Sequence, residues 1–332
     1  MHSLRALLLG RTETTLAVAV GLAVIVFSFA SPYFLTAPNF ADLIGAYSVT
    51  TILAAGVFVV LVAGGIDISF AATASAAQYL AAYLATAYGA PPIVVIGSAL
   101  VFGTLLGAIN AVLTHYLRIL SIIVTIATSS IYYAMLIYVT GGSEIYNLPA
   151  WWTEKIIFFR WDFGPGEFVR ITLPIVVMLV VVLFTHLMMS RSRIGRQVYA
   201  FGGNPESASR VGFNTLGIQV FAYGYLGFLA GLAGLVQAHR VGQAIPTAMA
   251  GTELNVLAVA ILGGASLVGG VGTMGGVVLG VLLLAILQNG LNLMGVSSYF
   301  FDVVIGLAIL GSISLTGYAS MNRRSLTKDL AS

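Results

Sequence analysis

The sequence predicts an all-α, polytopic integral membrane protein, and three observations lead to this class. Of the 332 residues, 59% are hydrophobic and only 8% are charged, whereas a soluble domain carries about a quarter charged residues. Long continuous apolar stretches run through the chain, for example at 93–114 and 171–190. Because a bilayer leaves no water for unpaired backbone groups, such stretches must form helices; a barrel would instead show short alternating strands.

Stretches of about 20 residues, the length that a bilayer requires, divide the chain into about ten predicted spans. They lie near 14–35, 43–63, 67–88, 92–114, 119–140, 170–190, 216–237, 253–270, 273–293 and 298–317. The third and eighth are rich in Gly, Ala and Ser, so either is a candidate for a broken or re-entrant segment. Small residues also favour close helix contact in lipid, so full spanning stays open for both.

The basic residues orient this map. Ten of the fourteen fall in segments that the map places on one side: Arg5, Arg11, Arg118, Arg191, Arg193, Arg196, Arg210, Arg323, Arg324 and Lys328. The positive-inside rule therefore predicts that both termini and the 191–215 loop are cytoplasmic. The 141–169 loop, which holds every Trp, is then extracytoplasmic, as an interfacial aromatic belt or as a docking surface for an outside partner. Residues 1–332 form one predicted transmembrane domain.

Residue types that are missing or scattered exclude several functions. There is no cysteine, hence no disulfide or thiolate site, and the histidines are isolated, without metal-ligand spacing. A formal charge of +3 is too small and too dispersed for a nucleic-acid surface. No Gly-Lys-Ser or Gly-Lys-Thr follows a Gly-rich run, so the chain has no P-loop. We therefore predict that the chain is not an enzyme and holds no cofactor or metal.

The cytoplasmic loop contains a short, well-punctuated helix at 205–211. Asn204 suits the N-cap, Pro205 the first helical position and Glu206 the positive end of the helix dipole. Gly212 is placed to end the helix. A helix of two turns is too short to be stable alone, so it packs against this chain's own ends or docks on a separate cytoplasmic protein. The candidate docking residues are Gly203, Asn204, Pro205, Glu206, Ser207, Ala208, Arg210 and Gly212.

Polar residues within the predicted spans are the second set of candidates. Asp67 is flanked by apolar residues, and a carboxylate at membrane depth costs about 3 kcal/mol, so it needs a cavity or a partner. We favour a capping role at the start of the next helix, with Ser69 helping. Single asparagines in spans are usually helix–helix contacts, yet together they are consistent with a polar path. The candidates for that path are Asp67, Ser69, Asn110, Glu253, Asn255 and Asn289.

Four stretches, in order along the chain, resemble one family. Residues 64–69 (GGIDIS) resemble a GGIDLS signature, and 195–204 (GRQVYAFGGN) resemble a GR-x-x-YA-x-GGN stretch. Residues 207–212 keep its pattern of small residues, and 253–273 with 289–291 resemble its late Gly-rich region. These motifs are those of monosaccharide ABC importer permeases, the ribose-type branch of the branched-chain amino-acid/ribose permease family. One departure is Asn255, where many relatives carry an aliphatic or aromatic residue.

The resemblance implies an importer of a monosaccharide or related polyol in a bacterial cytoplasmic (inner) membrane. Two permease subunits, identical or paralogous, would form the pathway in the lipid bilayer. Two cytoplasmic ATPases would drive it, an extracytoplasmic binding protein would deliver the sugar, and the 205–211 helix would be the coupling helix. The alternatives are another solute (a nucleoside, a signalling furanose or a branched-chain amino acid) or an ion-coupled secondary transporter. The latter would need an intramembrane relay, for which Asp67 and Asp302 are the candidates.

Overall fold

The computed structural model describes residues 12–164 and 167–297, together with 300, 301, 303, 306, 307 and 310. Within these residues the chain is mostly helical. The helices are α1 (Thr12–Ala30), α2 (Ala37–Ala46), α3 (Ser48–Val62), α4 (Phe70–Ala87), α5 (Pro92–Leu117), α6 (Ser121–Thr140), α7 (Ala150–Thr153), α8 (Leu173–Arg191), α9 (Arg193–Gly203), α10 (Pro205–Arg210), α11 (Thr215–Val241), α12 (Glu253–Leu262) and α13 (Met274–Leu293).

Six of these helices, α1, α5, α6, α8, α11 and α13, are long and apolar enough to cross a membrane. Helices α2 and α3, bent by 48° at their junction, make a seventh if they form one span. The polytopic helical class is thereby confirmed. The count of ten spans and the cytoplasmic position of the termini stay predictions, and the last predicted span, 298–317, lies largely outside the described residues together with Asp302.

The expectation of an all-α chain is wrong in the 141–169 loop. There the strands β1 (Ile157–Gly164) and β2 (Glu167–Thr172) pair as an antiparallel hairpin. Aromatic and β-branched residues dominate both strands, and such residues fit a pleated surface better than a helix. The guanidinium groups of Arg160 and Arg170 lie 5.0 and 4.0 Å from the centre of the Phe168 ring. The hairpin also takes the first residues, 170–172, of the predicted sixth span.

The breaks do not fall where the third predicted segment was expected to break. Helix α4 runs without interruption over Phe70–Ala87, because its small residues pack closely: a Cβ at Gly234 of α11 would lie 2.4 Å from the Ala74 carbonyl oxygen. The bend lies instead in the second segment, between α2 and α3. The eighth segment is indeed interrupted. Its helix ends at Leu262, and the positive φ angles of Gly264, Gly269, Gly270 and Gly272 prevent a continuing helix up to Thr273.

Helix α3 lies at the centre of the bundle with nearly every residue buried. Around it, α5 and α11 cross at a contact made by small residues. A Cβ at Gly103 would lie 2.3 Å from the carbonyl oxygen of Gly227, and one at Gly231 would lie 2.4 Å from that of Ala99. Such close backbone approach is how helices associate in lipid, where no hydrophobic effect draws them together.

Helices α3 and α12 end in the same way, 200 residues apart. In α3, the amides of Ala63, Gly64 and Gly65 donate to the carbonyls of residues 59, 61 and 60 at 3.0, 2.9 and 3.0 Å. In α12, the amides of Gly263, Gly264 and Ala265 donate to the carbonyls of residues 259, 261 and 260 at 2.9, 2.8 and 3.1 Å. Both are Schellman-type ends, with Gly64 and Gly264 at φ +80° and +89°. The segments after α3 and α12, each with a Gly-Gly pair (Gly64–Gly65 and Gly263–Gly264), therefore end their helices with the same hydrogen-bond pattern.

Candidate functional site

Helices α9 and α10 form a pair at one end of the bundle, between α8 and α11. The predicted loop thus contains a helix that the sequence reading missed. Ser192 caps α9 by accepting a hydrogen bond from the Gly195 amide at 3.0 Å, and Val198 and Phe201 are buried on its inner face. The missed signal was the amphipathic spacing of Ile194, Val198 and Phe201 within the GR-x-x-YA-x-GG stretch.

Helix α10 is capped as the sequence predicts, with bounds one residue shorter. The Asn204 Oδ1 accepts a hydrogen bond from the Ser207 amide at 2.9 Å. Gly212 has φ +86°, and the next amide, that of Phe213, donates to the Ala208 carbonyl at 3.1 Å, which closes the C-terminal end. The end is therefore fixed by the same chemistry as the ends of α3 and α12.

One face of α10 is open. Only Ala208 is buried, while Gly203, Asn204, Pro205, Ser207, Arg210 and Gly212 are exposed. Glu206 and Arg210 form an ion pair of 2.6 Å between the Glu206 Oε1 and the Arg210 Nη2, with both side chains 76% exposed. An ion pair this exposed contributes little to stability. The helix is held by its caps and by Ala208, and its charges are available to a partner.

The α9–α10 pair rests on what we call the glycine seam, formed by Gly64, Gly202, Gly269 and Gly270. The Gly270 amide donates to the Val62 carbonyl at 2.8 Å, which joins the end of α3 to the segment after α12. A Cβ at Gly202 would lie 1.8 Å from the same carbonyl oxygen and 2.7 Å from the Gly270 nitrogen. The seam thus connects α9 directly to the end of α3 and to the segment that follows α12.

A second contact between α9 and the seam is a hydrogen bond. The Tyr199 hydroxyl donates to the Gly272 carbonyl at 2.8 Å. Because Gly272 immediately precedes Thr273, the N-cap of α13, a displacement of α9 would act on α13 as well as on α3 and α12. Neither Tyr199 nor Gly202 was among the candidates, although both belong to the 195–204 motif.

Asp67, Ser69 and Asn110 come together in a buried cluster, 3%, 1% and 0% exposed. The Asp67 Oδ1 accepts hydrogen bonds from the Ser69 amide and hydroxyl, both at 2.7 Å. The Asn110 Nδ2 donates to the Ser69 Oγ at 2.6 Å and to the Asp67 Oδ2 at 3.3 Å. A buried carboxylate requires such donors. The Ser69 side chain, at the N-cap of α4, makes no capping hydrogen bond, so the capping role stays a prediction, as does contact with a solute.

Helix α6 closes the same cluster with hydroxyl groups that the sequence reading did not single out. The Ile66 amide donates to the Ser121 Oγ at 2.8 Å, and the Ile68 amide donates to the Thr125 Oγ1 at 3.4 Å. The Tyr132 hydroxyl donates to the Asn110 Oδ1 at 3.4 Å. The non-helical residues after α3 are therefore fixed to α5 and α6 by side chains. These side chains supply hydrogen-bond partners for backbone amides that the end of the helix leaves unpaired.

Glu253 and Asn255 lie apart from that cluster, at the start of α12, and are half-buried. The Tyr133 hydroxyl donates to the Glu253 Oε1 at 3.4 Å. Since α12 has only 10 residues, it rises about 15 Å from its end at Leu262. That is half the thickness of a hydrocarbon core, which is about 30 Å, so α12 is too short to cross a bilayer by itself.

Asn289 lies elsewhere again, on α13, and forms a reciprocal amide pair with Asn39 of α2. Each Nδ2 donates to the other Oδ1, at 2.9 and 3.0 Å. This is the helix–helix contact expected of an asparagine in a span. The structure therefore distributes the path candidates over three places, and it brings only Asp67, Ser69 and Asn110 into contact. Among the described residues, no group of three or more His, Asp and Glu side chains is placed to hold a metal ion.

Known proteins resemble the chain over most of its length. The ribose import permease protein RbsC of Escherichia coli (strain K12) is 33% identical over 293 residues, 88% of this chain and 90% of the relative. The D-allose transport system permease protein AlsC of the same strain is 32% identical over 299 residues, 89% of each chain. The L-arabinose ABC transporter permease protein AraH of Azospirillum brasilense is 29% identical over 299 residues, 90% of this chain and 86% of the relative.

No solved structure matches the chain. Residues 39–313 match the family described as branched-chain amino acid transport system / permease component. That match begins in α2 and includes the α9–α10 pair, the glycine seam and the buried Asp67 cluster. The chain belongs to this family of transport permeases.

Proposed function

We propose that this chain is the transmembrane subunit of an ATP-driven importer and forms the translocation pathway for a monosaccharide or related polyol. The observation that carries the proposal is the similarity to permeases named for ribose, allose and arabinose over about nine-tenths of the chain. The chain itself has no P-loop in its sequence, so ATP hydrolysis falls to a separate subunit. We place the protein in a bacterial cytoplasmic membrane, with both termini and the α9–α10 pair on the cytoplasmic side.

The geometry of α10 supports a coupling role for this helix. Its ends are fixed by caps, its Glu206–Arg210 pair is exposed, and Val211 beside it is 70% exposed. An exposed apolar residue flanked by charges is typical of a protein–protein contact. Through α9 and the glycine seam, a movement imposed on α10 reaches the ends of α3 and α12 and the start of α13. Rigid-body rocking of the helices would then alternate access to the pathway.

The proposed assembly contains three kinds of component. Two permease subunits, identical or paralogous, enclose the pathway, and two cytoplasmic ATPases bind the α10 helices. An extracytoplasmic binding protein delivers the sugar to the side that carries the β1–β2 hairpin. The binding protein would hold most of the selectivity for the solute.

Co-purification tests the coupling role. The intact chain is expressed in its own host and purified in mild detergent by a tag on the permease. We expect the ATPase to co-purify, and the double reversal Glu206→Arg/Arg210→Glu to abolish co-purification although the ion pair within α10 is retained. The matched control is Arg160→Asp/Asp162→Arg, which reverses the exposed 2.9 Å pair of the β1–β2 hairpin and should leave co-purification intact.

Uptake into proteoliposomes tests the energy source and the class of solute. With ATPase and binding protein present, the assembly should import an aldose such as ribose, allose or arabinose only when ATP is supplied. Leucine tests the branched-chain amino acid in the family description and should not be imported. Import by the chain alone, abolished by dissipating an ion gradient, would establish a secondary transporter instead.

A further inference from the structure

The cavity at the junction of α2, α3 and α13 is lined mainly by residues with polar side chains. Its volume is about 530 Å³. Six of its lining residues carry a hydroxyl, amide or carboxylate group: Asp42, Tyr47, Thr50, Gln288, Asn289 and Asn292. No lysine, arginine or histidine lines it. From this set of groups we infer that the cavity is a binding subsite for the hydroxyl groups of a neutral polyol on its way through the chain, an inference that rests on the proposed function.

The depth of the cavity makes its polarity informative. Gln288 lies 14 residues beyond Met274, the first residue of α13, which corresponds to a rise of about 21 Å. In the proposed topology α13 begins at the cytoplasmic boundary of a hydrocarbon core about 30 Å thick, which puts Gln288 in the outer half of that core. Polar side chains at such depth face a water-filled cavity or a partner rather than lipid. Asp42 and Asn292 are nevertheless exposed on the single chain, and we assign this face to the pathway on that ground.

The lining is organised by two contacts that leave other groups available. The Asn39–Asn289 amide pair fixes α2 on α13, so Asn289 positions the subsite and does not itself need to contact solute. The Tyr47 hydroxyl donates to the Gln288 Oε1, which leaves the two N–H groups of the Gln288 amide without an acceptor among the described residues. These donors, with Thr50, Asn292 and Asp42, converge on the cavity.

The chemistry of the available groups selects the class of solute. Amide N–H groups donate to sugar hydroxyls, whereas the Asp42 carboxylate accepts from them. Asp42 also lines the neighbouring cavity, whose other lining residues include Lys155, Arg170 and Arg240, so the charge of Asp42 alone does not exclude a carboxylate. The α2–α3–α13 cavity itself is lined by amide and hydroxyl groups without a cation, a set that suits the hydroxyl groups of a neutral polyol.

Cysteine accessibility provides the test, because the chain contains no cysteine of its own. Thr50→Cys, Gln288→Cys and Asn292→Cys are made singly in the full assembly with ATPase and binding protein. The matched control is Val26→Cys on α1, which is 60% exposed and lies at the same level. The levels match because α1 and α13 run side by side in the same direction: Glu13 accepts a hydrogen bond from Thr273 at the start of α13, and Phe27 contacts Gly290.

A membrane-impermeant methanethiosulfonate reagent is added from the outside, and labelling of the permease is followed with time. Because only a hydrated thiolate reacts, we expect the three subsite cysteines to label at least about 10-fold faster than Val26→Cys. The sugar imported in the uptake assay, present in excess, should slow labelling at position 288 at least about 3-fold, and leucine should not. Thr50→Cys is close in size to the native residue, so it reports on the cavity if Gln288→Cys does not assemble.

The outcomes separate the two proposals. If the native assembly imports no sugar, the proposed function fails whatever the labelling rates are. If it imports sugar but the subsite cysteines label no faster than Val26→Cys, or the sugar gives no protection, the subsite assignment is overturned. Protection by leucine in place of sugar would also overturn it, because the cavity would then accept a charged solute.

Discussion

Replacing Gly202 by alanine adds one methyl group at the point where α9 meets the glycine seam. That Cβ would lie 1.8 Å from the Val62 carbonyl oxygen and 2.7 Å from the Gly270 nitrogen, both backbone atoms. Contact distances of about 3.5 Å are ordinary, so the backbone must retreat by more than about 1 Å. The Gly270–Val62 hydrogen bond of 2.8 Å then breaks.

The magnitude follows from three contributions. Overpacking of this kind costs about 1–3 kcal/mol, and loss of the hydrogen bond costs about 1 kcal/mol more. Alanine is favoured over glycine within a helix by up to about 1 kcal/mol, which offsets part of the loss. The net destabilisation is about 1–3 kcal/mol. At roughly 2–4 °C per kcal/mol, the apparent Tm should fall by about 2–12 °C.

The neighbouring residue supplies the control. A Cβ at Gly203 meets no atom within 4 Å, so Gly203→Ala should leave stability unchanged or raise it slightly. The assay is thermal unfolding of the two purified variants in the same detergent, accompanied by uptake in the full assembly. Gly202→Ala should unfold at the lower temperature and import sugar more slowly. Equal melting temperatures for the two variants would refute the argument that the seam is closely packed.

Three further predictions concern other contacts of the bundle. Asn110→Ala removes two hydrogen bonds from the buried Asp67 cluster, so it should cost about 2–4 kcal/mol and lower the Tm. A Tm equal to that of the native chain would contradict the argument that the buried Asp67 carboxylate requires these donors. Tyr199→Phe loses one hydrogen bond, to the Gly272 carbonyl, and should cost about 1 kcal/mol of stability. Uptake should slow more than the small fall in Tm accounts for, and unchanged uptake would contradict a role for α9 in coupling. Gly103→Ala would place a methyl group 2.3 Å from a carbonyl oxygen of α11, whereas the methyl group of Gly97→Ala on the same helix meets nothing within 4 Å. Only Gly103→Ala should reduce the yield of folded protein. Equal yields of the two variants would refute the close contact of α5 and α11.

The sequence by itself determined the structural class of the molecule and the position and caps of α10. Apolar stretches of span length require helices because lipid offers no partner for the backbone, and this is independent of how the helices pack. The caps of α10 were also readable, since Asn204, Pro205 and Gly212 act on the backbone within a few residues. Local chemistry of this kind needs no knowledge of the fold.

Only the tertiary structure decided where the helices break and which polar residues meet. Helix α4 continues without a break because its small residues pack against α11. The bend between α2 and α3 lies at a place without a glycine pair. Asp67 meets Asn110 from 43 residues away, and Asn289 meets Asn39 from 250 residues away. The cavity beside Asn289 depends on the same long-range approach of α2 to α13. Side-chain spacing along one helix cannot specify such contacts, because they depend on the crossing of separate helices.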